Sequence, residues 1–121
     1  MSMTQFTRRL IDRRLTAYCE RKVPVQERSN VQIAFRIQWN RVTLIKTMGC
    51  GRDDSPGSTL PVAQLRYDDL NNRWTLYYAD RNSGWHLYPG IRPTPNFNHL
   101  LEEVDSDPTG IFWNNHIWVD P

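Results

Sequence analysis

The sequence predicts an α+β single domain: an N-terminal helix, a five-stranded, mostly antiparallel meander sheet, and a C-terminal helix packed on one sheet face. Three observations carry that expectation. Residues 4–22 repeat apolar side chains at helical spacing, and several runs between residues 31 and 88 alternate apolar with polar. Short Asn-, Ser- and Gly-containing turns join those runs, so consecutive strands pair antiparallel and the flanking helices cover one face.

A chain of 121 residues with 39% hydrophobic content is one domain of ordinary size, residues 1–121. No apolar run approaches the roughly 20 residues that span a bilayer. The opening MSMTQFTRRL lacks the apolar middle of a secretory leader. Cys19 and Cys50 are isolated thiols without CxxC spacing, which fits a reducing compartment and leaves a disulfide between them open. A cytoplasmic protein without a membrane partner is expected. Residues 1–52 hold eleven Lys/Arg against three Asp/Glu, and residues 53–121 hold four against ten, so +8 faces −6. Such asymmetry marks a polyanion partner, or two halves that neutralise each other on folding or dimerisation.

The first helix, 4–22, places Phe6, Leu10, Ile11, Leu15, Ala17 and Tyr18 on one broad half of the wheel, and Pro24 ends it. VQIAFRIQW (31–39) sets Val31, Ile33, Phe35, Ile37 and Trp39 against Gln32, Arg36 and Gln38. Asn40-Arg41 then turns the chain into VTLIKTM (42–48), and 49–61 is a loop on composition. VAQLRYDDL (62–70) and RWTLYYA (73–79) form a hairpin about Asn71-Asn72, and RNSG (81–84) leads into WHLY (85–88). Thr94 or Asn96 caps a second helix carrying Phe97, Leu100, Leu101 and Val104. DPTG (107–110) is a turn, and IFWNNHIWV (111–119) is a last strand or a docked tail.

These registers sort the aromatics of RWTLYYADRNSGWHLYP (73–89) onto two faces. Ala63, Leu65, Tyr67, Trp74, Leu76, Tyr78, Trp85 and Leu87 form one, and burying its large rings at about 1.5–3 kcal/mol each makes it the core face. Gln64, Arg66, Asp68, Arg73, Thr75, Tyr77, His86 and Tyr88 form the other, with Arg36 and Gln38 joining from the first strand. This second face is a solvated sheet surface or a ligand platform, with Arg36, Arg66 and Arg73 for anions and Tyr77 and Tyr88 for stacking.

PVAQLRY, RWTLYYADRNSGWHLYP and LLEEVDSDPTGIFW together resemble the bacterial domain-of-unknown-function family 3024. That family typically shows PVAK-x-x-Y, a V/W-W-x-L-Y-W strand, K-W-H-x-Y-E-P and a closing D-P-x-G-C-F-F. Trp85, His86 and Tyr88, and Asp107, Pro108, Gly110 and Phe112, match the most specific segments. Tyr78, Ile111 and Trp113 depart from it, and Ile111 stands where the family has Cys. The resemblance implies a whole-domain core over 5–113, with 114–121 as a tail beyond it, and brings no established activity.

Other chemistry finds little support. His86, His99 and His116 are scattered without metal-ligand spacing, and neither GxxxxGK[ST] nor GxGxxG occurs, so no metal and no cofactor are expected. Cys50 has no paired His, and the adjacent carboxylates point apart. The preferred expectation is a binding module whose polar face engages nucleic acid or another anionic partner. The alternatives are a small metal-independent enzyme with His86 as acid or base beside Tyr77 and Arg66, and a structural homodimer.

Overall fold

A computed structural model describes residues 4–23, 31–48 and 58–113. Its elements are α1 (Gln5–Lys22), β1 (Val31–Gln38), β2 (Arg41–Met48), β3 (Ser58–Asp68), β4 (Arg73–Ala79), β5 (Trp85–Leu87) and α2 (Phe97–Ser106). The five strands form one sheet in the order β1-β2-β3-β4-β5, and every neighbouring pair is antiparallel. The α+β meander with one helix at each end is therefore the fold.

Thr4 caps α1, its side chain accepting from the Thr7 N–H at 3.2 Å, and Arg21 and Lys22 face the negative end of the helix dipole. Ile11, Leu15 and Tyr18 are the buried stripe. Phe6, Leu10 and Ala17, expected on the apolar half, are exposed, because the sheet covers a narrower arc than the wheel presents. Asn96 caps α2 by accepting from the His99 N–H, and all four expected apolar residues of that helix are buried.

Both helices lie on one side of the sheet. Their buried stripes join Val42, Leu44, Val62, Ala63, Leu65, Trp74 and Leu76 in one core, closed by Tyr88 and Phe112. At roughly 1.5–3 kcal/mol per fully buried large apolar side chain, this cluster is the main stabilising term of the domain. Phe97 meets Trp74 edge-on at 4.9 Å, fixing α2 over β4.

Four registers differ from expectation. The first hairpin turns at Trp39-Asn40, since Gln38 pairs with Arg41, and Trp39 sits at φ 54° instead of on the core face. The β3–β4 connection is four residues, since Asp68 pairs with Arg73. Asp68 builds this turn by accepting from the Leu70 N–H at 3.0 Å and from Asn71 Nδ2 at 2.7 Å, with Asn72 at φ 52°. β3 begins at Ser58, inside the expected loop, with a register shift opposite Leu44/Ile45. Pro61 fits there because β4 stops pairing at Ala63, so the missing N–H faces an open edge.

The fourth difference has the largest consequence. Ala79 pairs with Trp85 and Tyr78 with His86, so five residues connect β4 to β5 instead of four. Asp80 holds the extra residue: Oδ1 accepts from the Asn82 and Gly84 N–H groups, both at 2.8 Å, while Ser83 adopts φ 66°. A one-residue slip exchanges the faces of a strand, whereas the two-residue slips in the other hairpins preserve them.

A candidate binding face on the uncovered side of the sheet

No element among the described residues packs on the second sheet face, since α1 and α2 both cover the first. Arg36, Thr43, Gln64, Tyr77 and Leu87 follow one another across all five strands of it. Gln38, Arg41, Arg66 and Thr75 form the next row, and Asp68 with Arg73 a third. Four arginines and one aspartate thus share the face around a single tyrosine.

The centre of this arrangement is fixed by Gln64, which is itself buried. Its Nε2 donates to Thr43 Oγ1 at 3.0 Å, and its Oε1 accepts from Arg66 Nε at 2.6 Å. That clamp lays the Arg66 guanidinium 3.9 Å from the centre of the Tyr77 ring. A stacked guanidinium keeps its charge, and its planar fork matches phosphate or carboxylate geometry. Arg66 spends only Nε on Gln64, and no acceptor among the described residues bonds its terminal amino groups. Arg36, Arg41 and Arg73 are exposed around this pair. Arg73 is held at the rim by the Asn71 and Asn72 carbonyls, at 3.4 and 3.2 Å.

Four of the six residues expected at the platform are therefore together: Arg36, Arg66, Arg73 and Tyr77. His86 and Tyr88 are not with them, and the cause is the slip in β5. His86 shares the helix side with Tyr78, their rings stacked at 5.5 Å, and its Nε2 lies 2.6 Å from Asp80 Oδ2. The carboxylate only accepts, so this contact places the ring proton on Nε2. Hydrogen bonding from His86, then from the Gly84 N–H, holds the Asp80 carboxyl below its ordinary range. Tyr77 and Arg66 lie across the sheet from His86, so the three residues weighed as one catalytic group do not share a site.

Tyr88 is a core residue, 3% exposed, with its ring 4.9 Å from that of Phe112 and its hydroxyl donating to Glu103 Oε2 at 2.7 Å. Burial, then the Glu103 bond, pushes its phenol up to about 12. Trp85 and Leu87 take the opposite positions. They join Ala79 and Tyr77 on the uncovered face, where Trp85 is half-buried and Leu87 is exposed. Arg41, expected in the first hairpin turn, joins this face because the turn falls one residue earlier and Gln38 pairs with Arg41. Asp80 was missed as a structural centre, and its signal is the D-x-N-x-G spacing of Asp80, Asn82 and Gly84.

Other reactive groups are placed away from this face. Burial, then the neighbouring Glu20, pushes the free Cys19 thiol up to about 11, the opposite of an activated nucleophile. Cys50, His116 and residues 114–121 lie outside the described residues. A shallow groove of about 410 Å³ runs between α1 and the entry to α2, lined by Leu10, Ile11, Trp74 and Phe97 with Arg14 at its side.

An open antiparallel sheet with both described helices on one face, and arginines around a tyrosine on the other, defines the class as an α+β domain. The chain belongs to the family described as "Domain of unknown function (DUF3024)", whose model matches residues 3–114. No curated protein and no solved structure matches it. The segments most specific to the family serve packing: Tyr88 closes the core, and Asp107 organises the turn after α2.

Proposed function

We propose that the protein is a small binding module whose uncovered sheet face takes a single strand of nucleic acid. The observation that supports this is the Gln64-clamped Arg66 lying over Tyr77, with Arg36, Arg41 and Arg73 on the same face. Arginine supplies phosphate contact, and the Arg66 guanidinium laid over Tyr77 supplies a planar platform on which an unpaired base stacks. Five strands spaced about 4.8 Å apart make a face about 19 Å wide, broader than the roughly 12 Å major groove of a duplex, which favours a strand whose bases are free. His86 makes no part of this reading.

Fluorescence anisotropy with labelled oligonucleotides tests it. Four phosphate contacts on a single strand predict a slope of log K against log salt near −3, and Arg36→Ala or Arg41→Ala should each reduce it by about 0.7. Tyr77→Ala should weaken binding about fivefold or more, since a stacking platform built on an aromatic contributes about 1–3 kcal/mol per base. Salt-insensitive binding, or a duplex bound as tightly as the single strand, would overturn the proposal.

A further inference from the structure

We infer that the end of the molecule formed by the first turns of α1 and the β1–β2 and β3–β4 turns rests on the surface of an anionic lipid bilayer, with Phe6, Trp39 and Leu70 entering the interfacial layer. Hydrogen bonds show that these segments meet. Arg8 Nη2 donates to the Ile37 carbonyl at 3.3 Å, which brings the start of α1 to the end of β1. The Tyr67 N–H donates to the Asn40 carbonyl at 2.8 Å, which joins the first hairpin turn to the strand leading into the second.

Among the described residues the exposed large hydrophobics are Phe6 at 72%, Leu10 at 40%, Trp39 at 79%, Leu70 at 91% and Leu87 at 58%. All but Leu87 sit at this one end. They come from three separate elements, and the axes of the two hairpins stand about 10 Å apart, two strand spacings. Separate prongs suit an acceptor that needs no matching relief, as the headgroup layer of a bilayer is, and Trp, Phe and Leu are side chains that partition there. Trp39 fills the left-handed position, φ 54°, that the two-residue β1–β2 turn requires, and it does so with a large exposed ring where glycine would be less strained.

Charge identifies the surface as anionic. Arg8, Arg9, Arg41 and Arg73 fringe the prongs against Asp68 and Asp69, and the Asp68 carboxylate is occupied inside its own turn. Like charge at the same end disfavours a second copy, whereas acidic headgroups attract it. The contact lies on the membrane: no helix among the described residues is long and apolar enough to cross one.

Cosedimentation with phosphatidylcholine vesicles, with and without phosphatidylserine, tests this. Binding should be about tenfold stronger to the anionic vesicles and should fall with salt. Leu70→Asp should abolish it. Trp39→Gly should weaken it severalfold while raising the melting temperature, because glycine relieves the left-handed backbone; loss of binding with gained stability separates contact from misfolding. Leu70→Ser, which adds no charge beside Arg73, should likewise weaken vesicle binding while oligonucleotide binding stays unchanged, which keeps this inference distinguishable from the proposed function. Equal sedimentation with neutral and anionic vesicles, none with either, or binding indifferent to Leu70→Asp would overturn it. Self-association that Leu70→Asp disrupts would overturn it equally, by making a second copy the occupant.

Discussion

Asp107 carries the turn after α2, and its replacement has a magnitude that follows from the geometry. The residue ends α2 in the left-handed region, φ 47°, with its N–H donating to the Glu103 carbonyl at 2.9 Å. Its carboxylate then accepts from the Phe112 N–H at 3.1 Å and the Trp113 N–H at 3.0 Å. Those two bonds place the Phe112 ring against Tyr88 and let Trp113 Nε1 donate to the Val104 carbonyl at 2.9 Å. A hydrogen bond to a charged group contributes about 1.5–3 kcal/mol, and the half-exposed setting favours the lower figure. Asp107→Ala therefore loses about 3 kcal/mol of bonding and adds about 1 kcal/mol for an alanine at positive φ. Asp107→Gly loses the bonds without that strain, near 3 kcal/mol, and Asp107→Asn keeps one acceptor and tolerates the backbone, near 1.5 kcal/mol. A chain of 121 residues unfolds with an entropy of about 250 cal/mol/K, so each kcal/mol moves the melting temperature by about 4 °C. Thermal unfolding followed by circular dichroism should rank wild type, Asn, Gly and Ala in falling order, with Ala about 16 °C down. An alanine variant as stable as the parent would show that the two carboxylate bonds do not form. A glycine variant below the alanine one would refute the left-handed backbone.

Two further outcomes follow from other contacts. A Cβ on Gly90 would stand 2.6 Å from the Tyr88 ring, which Phe112 and Glu103 hold from the far side, so Gly90→Ala should cost about 1–3 kcal/mol in a urea titration. An unchanged midpoint would mean that the ring is not locked against this backbone. Asp80 has its folded carboxyl value depressed, first by His86, so its contribution is present above the ordinary aspartate range and disappears as pH falls through the folded value. Denaturation midpoints measured down the acid limb should fall less steeply for Asp80→Asn than for the parent, and parallel curves would exclude the His86–Asp80 contact in solution.

Much of the fold is legible from residue periods alone. The stripe Ile11, Leu15 and Tyr18 and the set Phe97, Leu100, Leu101 and Val104 are found by helical spacing, because a covered helix must be apolar along the covered line. Leu65, Trp74 and Leu76 against Arg66, Arg73 and Tyr77 are found by alternation. That is why four of the six expected platform residues share a face. The error in β5 came from loop length. A four-residue RNSG loop leaves Asp80 to pair with Trp85, whereas the Asp80 side chain serves the backbone of Asn82 and Gly84 and makes it the first residue of the turn.

The order of the elements, the sheet's two-faced character and the arginine–tyrosine face were determined by the sequence, since each depends on the local periodicity of neighbouring residues. The tertiary structure alone decided that Tyr88 is buried, that His86 pairs with Asp80, and that Phe6, Trp39 and Leu70 emerge at one end. Those outcomes depend on hydrogen bonds inside turns and on which stretch of a helix the sheet happens to cover. A single side chain accepting two backbone N–H groups changes a loop by one residue, and one residue is enough to turn a strand over.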